Sequence, residues 1–376
     1  VIFLKLLGII IVLGLGITLF VWHMRRKADM DRSLNMVFLR VTVPIKDSKE
    51  DRERESEQYS SGKSQKEVND VMTHFYEALH AIHSGDVKTV ITDQDFFSCE
   101  YALLDGQMQF FVVLPSHLKS FFDKQITAFY PDVFVEQVED YSIFRQGYKA
   151  TGRYMRLVKE PMYPIRTYQF LGSDPFNNLA NALSKIETDE GAAIQIVLRP
   201  LGDGWQKRGR QAAQDLFMGK KVEKSFFSKI NVFGWIATGI RVMFQGAENE
   251  KFGENMDNQG TTRTTPLMDE QVKLMETKNV KVGFETVIRV VGSAKTKLRA
   301  DQIVLDICGS FAQYNAPNNN GLTKTKYHSR PALIKGFILR SMRYGLLQKI
   351  LRPKKIILCS EEVASIFHFP NIKYNR

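Results

Sequence analysis

Gly62-Lys63-Ser64 ends like a phosphate-binding loop and stands between an expected strand and an expected helix. Such a loop curls consecutive backbone N–H groups round phosphate oxygens, which requires a further Gly five residues before the second one. That position is Glu57, amid Asp51, Glu53 and Glu55, whose charges repel phosphate. The tripeptide is therefore read as a coincidence. Ile303-Val304-Leu305-Asp306 imitates the apolar run and acid that hold magnesium in ATPases. It lies in a segment of helical period, so Asp306 is expected on a solvated helix face. His74, Glu77, His80 and His83 have the chemistry of metal ligands. His74 and His80 leave their helix on different flanks, however, and the HExxH spacing is missing. No Gly-x-Ser-x-Gly elbow occurs, and the carboxylates show no pairing for acid–base work. No catalytic residue, cofactor or metal ligand is assigned.

Cys99, Cys308 and Cys359 lie far apart with no CxxC, which supports neither a disulfide framework nor a zinc site and suits a reducing compartment. Charge is the more informative chemistry. The net charge of +11 favours acidic partners, with simple solubility as the alternative. Between Asp306 and Glu361 there is no acidic residue, while Lys324, Lys326, Arg330, Lys335, Arg340, Arg343, Lys349, Arg352, Lys354 and Lys355 occur there among Tyr314, Tyr327, His328 and Tyr344. A second basic run holds Lys207, Arg208 and Arg210. Candidate contacts are Lys207, Arg208, Arg210, Lys324, Lys326, Arg330, Arg340 and Arg343. Such surfaces could hold DNA phosphates or anionic lipid, dock on an acidic domain, or be solvated faces.

The elements that would carry these residues are set by periodicity. Val37–Val43 alternates as a strand, and a helix from Gln65 places Val68, Val71, Met72, Phe75, Leu79 and Ile82 on one face. Phe96–Leu104 and Met108–Leu114 flank Asp105-Gly106, a strong hairpin signal. Helix Leu118–Phe129 and strand Val133–Tyr141 complete the order β-α-β-β-α-β, the split βαβ arrangement. A looser second copy runs through strand Ile165–Phe170, helix Phe176–Ile186 capped by Asp174-Pro175, strand Ala193–Arg199, strand Phe284–Val291, helix Arg299–Tyr314 and strand Leu322–Tyr327. Helix Ala332–Leu347 and strand Ile356–Leu358 close it, with Ser360 capping a last turn. The insertion 202–266 joins a basic helix to an aromatic one, Phe226–Phe244, which suits either a membrane interface or an ordinary helical hairpin.

The first residues set the expected location. Leu6 to Trp22 carry no charge, about long enough for a tilted span when about 20 residues are usual. Leu6, Ile10, Leu13, Ile17 and Trp22 would face lipid, and the flank Arg25, Arg26 and Lys27 would stay inside. The expectation is a single-pass inner-membrane protein with its bulk cytoplasmic. Its fold class is α+β: a transmembrane anchor at 1–27, a ferredoxin-like domain at 34–145, and a second at 148–370 that carries the helical insertion.

Taken in order, FLRVTVPI, EYALLDGQMQFFVVLPSHLKSFFDKQITAFYPDVFVEQVEDY, GFETVIRVVG and ILCSEEVASIFHFPN resemble the N-terminal half of bacterial type IV secretion-like DNA-transfer ATPases of the HerA/FtsK class. The resemblance covers most of Met36–Asn371. It implies a membrane segment and α+β domains ahead of an ATP-hydrolysing motor, with the SEEVASIFHFPN element shortly before the motor's phosphate loop. The motor residues have no counterpart here. The resemblance thus implies an anchoring and assembly module, homo-oligomeric, joined to a motor domain in cis or in trans. The alternative is a membrane-bound protein that binds nucleic acid or anionic lipid.

Overall fold

Gly283–Ala294 is buried at all twelve positions, and around it the rest of the sheet is arranged. The computed structural model describes residues 2–44, 65–86, 89, 92–218, 265–326, 330–342 and 355–370. In chain order the strands are β1 (Met36–Thr42), β2 (Phe97–Leu104), β3 (Gln107–Pro115), β4 (Phe134–Val138), β5 (Lys149–Leu157), β6 (Gly191–Leu201), β7 (Gly283–Ala294), β8 (Leu322–Lys324) and β9 (Ile356–Cys359). The helices are α1 (Ile2–Leu34), α2 (Gln65–Leu79), α3 (Lys119–Phe129), α4 (Pro175–Leu183), α5 (Gly204–Phe217), α6 (Pro266–Asn279), α7 (Lys297–Ser310), α8 (Arg330–Ile338) and α9 (Ser360–Ile366).

All nine strands join one antiparallel sheet of order β4-β1-β3-β2-β6-β7-β5-β8, with β9 on the first residues of β7. The two units expected as separate domains are thus halves of a single sheet. Each half keeps the 4-1-3-2 order of a split βαβ unit. They meet where β2 pairs with β6, Glu100 opposite Gln195 and Tyr101 opposite Ile194. Both strands are buried on both faces, so neither can remain an edge in water.

Alternation along the strands builds two cores. Cys99, Tyr101, Ile194, Ile196, Ile288 and Val290 face a large core that takes its other wall from α2, α3, α4, α7 and α9. Ala102, Ala193, Val197, Val287 and Val291 face the opposite core, closed by Leu333 and Phe337 of α8. Several local signals act as expected. Asp105 and Gly106 have φ of 51° and 76°, the left-handed pair that a two-residue hairpin needs. Asp174 accepts from the Phe176 N–H at 2.9 Å with Pro175 opening α4.

Other expectations are corrected. Among the described residues no helix is long and apolar enough to cross a membrane, which overturns the single-pass anchor and the inner-membrane location built on it. Arg25, Arg26 and Lys27 do not flank the end of a span. They lie inside α1, which runs on through Asp29, Asp31 and Arg32 to Leu34. Its end is fastened to the fold: Arg32 pairs with Asp95 at 2.8 Å and donates to the Thr92 carbonyl at 2.9 Å. The side chains of Leu6, Ile10, Leu13 and Ile17 fall outside the described set.

Ile165–Phe170 is not the first strand of the second half. Side chains take two of its N–H groups, Glu362 that of Ile165 and Ser365 that of Tyr168, and residues 168–170 form a helical turn. β5 holds that place instead, disguised by Lys149, Thr151, Gly152 and Arg153. α8 stops at Ile338 because Arg340 sits at φ 48°. The cap of α9 falls on Cys359, one residue before Ser360. Of the insertion, α5 is described and packs on α6, which follows it, through Ala212, Ala213, Val272 and Met275; the aromatic stretch 226–244 lies outside the described residues.

Candidate functional site

The residues singled out for chemistry are dispersed. Glu57 and Gly62-Lys63-Ser64 lie outside the described residues. Asp306 is exposed on α7. His74 is exposed and meets Glu77 at 3.1 Å, whereas His80 bonds the Leu201 carbonyl at 2.9 Å and stacks on His83. Burial holds the His80 imidazole below its ordinary pKa, against the pull of that carbonyl. Among the described residues no group of three or more His, Cys, Asp or Glu side chains could hold a metal ion.

The basic candidates separate into three kinds. Lys207, Arg208 and Arg210 are exposed on α5, whose inward side is Trp205, Gly209, Ala212 and Ala213. Lys324 and Lys326 are exposed at and just after β8, and Arg330 lies 3.7 Å from Asp301. Arg340 is only 2% exposed and belongs to the interior, while Arg343 lies outside the described residues.

Arg340 leads to a polar lattice at the seam of the two halves. Its guanidinium grips Asp140 with bonds of 2.7 and 2.6 Å and reaches both oxygens of Glu100 at 3.3 and 3.4 Å. It also lies 4.6 Å from the Phe38 ring centre and 5.4 Å from that of Tyr141, within cation–π reach. Glu100 accepts further from Ser98 at 2.7 Å, Tyr141 at 2.6 Å and Gln195 at 2.9 Å. Gln195 in turn accepts from Arg289 at 2.6 Å, and Arg289 donates to the Ser341 carbonyl. Burial alone would raise the Glu100 pKa, but the Arg340 charge and the donated bonds outweigh it and hold the carboxyl below its usual range. A carboxylate so fully engaged is an anchor for Arg340. The sequence carried one signal for it, a lone acid in the apolar run of β2.

A second lattice surrounds α9. Glu362 bonds the Cys359 N–H at 2.9 Å, the Ile165 N–H at 2.8 Å and the ammonium of Lys278 at 2.9 Å, with both charged side chains at or below 1% exposure. Glu361 takes the Thr167 hydroxyl and Lys281. Ser360 donates to Glu77 at 3.1 Å. Residues 365–368 bond to several separate elements around the large core. Tyr76 of α2 donates to the Phe367 carbonyl at 3.2 Å, and Tyr314 to that of Ser365 at 3.0 Å. The His368 N–H meets the Tyr101 hydroxyl at 2.9 Å, while its ring sits 2.7 Å from Asp174. In the sequence Glu361 and Glu362 beside Ser360 look like a surface cap at a helix start, and nothing near them signals their burial.

A family model described as a domain of unknown function (DUF8128) matches residues 51–376. The chain belongs to this family. The DUF8128 match takes in every element from α2 to α9 and both lattices. It leaves out α1 and β1, although β1 lies inside the sheet between β4 and β3. No curated protein matches the chain.

Proposed function

We propose that this DUF8128 chain is the assembly module of a DNA-transfer-type ATPase, joined to its motor in cis or in trans. The observation that carries the reading is the position of residues 355–370. They bond to α2 through Tyr76, to β2 through Tyr101 and to the second half through Lys278, Tyr168 and Tyr314. A load applied at α9 would therefore be shared by both halves of the sheet. In the ATPases that the sequence resembles, this element comes shortly before the motor's phosphate loop, so it is the natural point of attachment. GFETVIRVVG and ILCSEEVASIFHFPN, two of the segments that carry the resemblance, are neighbours in space, with Gly283 opposite Cys359.

Co-expression with a DNA-transfer motor domain tests this. The expected result is co-elution and, from this chain alone, no ATP turnover above background. Turnover by the chain alone that Lys63→Ala abolishes would overturn it. A second reading, phosphate binding by nucleic acid, is favoured by α5, whose first turns expose Lys207, Arg208 and Arg210. In that case DNA affinity should fall with salt at a logarithmic slope of about 0.9 per phosphate contacted, and Lys207→Ala should lower the slope.

A further inference from the structure

The path of eight strands ends on two open edges. Among the described residues β4 pairs only with β1 and β8 only with β5. An open edge is a row of unpaired N–H and C=O groups, which proteins commonly guard with charge. Here the guards have opposite sign. Residues 125–144, which contain β4, include Asp132, Glu136, Glu139 and Asp140 but no Lys or Arg. Residues 307–360, which contain β8, include no Asp or Glu. Glu136 is paired with Arg40 and Asp140 with Arg340. Asp132 and Glu139 are exposed at one edge, and Lys324 and Lys326 at the other.

Guards of one sign at both ends would repel every edge-to-edge pairing. Opposite guards repel like ends and attract unlike ones. Strand direction agrees. All seven pairings along the path are antiparallel, so β4 and β8 run in opposite senses. A second copy set beside β8 in the same sense presents its β4 antiparallel to it. We propose that copies of this chain associate head to tail, the acidic β4 edge of one against the basic β8 edge of the next. Such a heterologous contact builds rings or open filaments, never closed pairs alone.

The proposal deepens the assembly reading by naming a second copy as partner. Its test needs no motor, so its failure leaves the motor's attachment standing. Sedimentation velocity of the full chain should show oligomers at about 0.1 M salt that dissolve at about 1 M, as the screening length falls from about 10 Å to about 3 Å. Asp132→Lys/Glu139→Lys and Lys324→Glu/Lys326→Glu should each remain monomeric at low salt. Mixed together, the two should associate, because every end then meets its opposite. All four side chains are exposed, and circular dichroism checks that both variants fold. A wild-type monomer at both salts, oligomers that survive either double substitution, or no association on mixing would each overturn the proposal.

Discussion

Arg340 is a long cationic side chain in the interior, and its surroundings explain how it is tolerated. Two carboxylates and a sleeve of aromatic rings replace the water that it has lost. Removing one partner strands the other, so Arg340→Ala should cost about 3–5 kcal/mol in urea unfolding. Arg340→Met combined with Glu100→Gln should recover part of that loss, whereas additive costs would show that the two do not act as a pair. The same lattice sets a pH dependence. Glu100 is held below its ordinary pKa by Arg340 and its hydrogen bonds, against burial. Glu285 is held down likewise by Arg199 and Lys355, again against burial. A depressed carboxyl contributes stability that is complete above its unfolded value, about 4.3, and is lost as pH falls through the folded one. Urea midpoints should therefore be flat near neutrality and fall steeply below about pH 4.3. Glu100→Gln should be less stable at pH 7 and show a shallower acid slope.

The helical elements divide into those whose faces were legible and those set by tertiary demands. Gly209 lets α5 approach α6 so closely that an added Cβ would stand 1.9 Å from Asn279 Oδ1. Gly209→Ala should lower stability by about 1–3 kcal/mol through overpacking, and Asn279→Ala in the same chain should relieve much of it. A midpoint unchanged by Gly209→Ala would mean that the two helices can move apart freely. In α9, Glu362→Ala leaves Lys278 buried without its anion and should cost about 3–5 kcal/mol. Asp306→Ala, exposed on α7, should stay within about 0.5 kcal/mol. The hairpin at Asp105-Gly106 and the start of α4 could be read from sequence because turn and cap chemistry is local. β5 could not, because polar Thr151 is buried there and is supported by a partner far along the chain, Asp301. The lattices were hidden for the same reason. Glu100 and Arg340 are 240 residues apart, and nothing near either announces the other.

For the molecule as a whole, the seam between β2 and β6 decides behaviour. Two units of equal strand order share one sheet and one large core, so they should unfold together. Native-state hydrogen exchange checks this. Amides of β2, β6 and β7 should exchange slowest and with one common free energy. Faster exchange of the whole β1–β4 half would show that the halves open independently. The apolar run of α1 suggested a membrane span because composition reports hydrophobicity but not where a helix continues. Its charged second half and the Arg32–Asp95 contact draw that end toward the fold.

The burial of residues 355–370 also bears on the timing of synthesis. A ribosome makes β1 through β8 before it makes β9 and α9. Until then the aromatic floor around Tyr101, Phe176 and Tyr314 has no cover, and the first residues of β7 lack their β9 partner. The nascent chain must hold a half-built sheet with sticky, solvent-facing rings for as long as translation from β8 to α9 takes. Such a protein gains from chaperone protection over that interval, and a product stalled or released before α9 is made would be a ready substrate for aggregation or proteolysis.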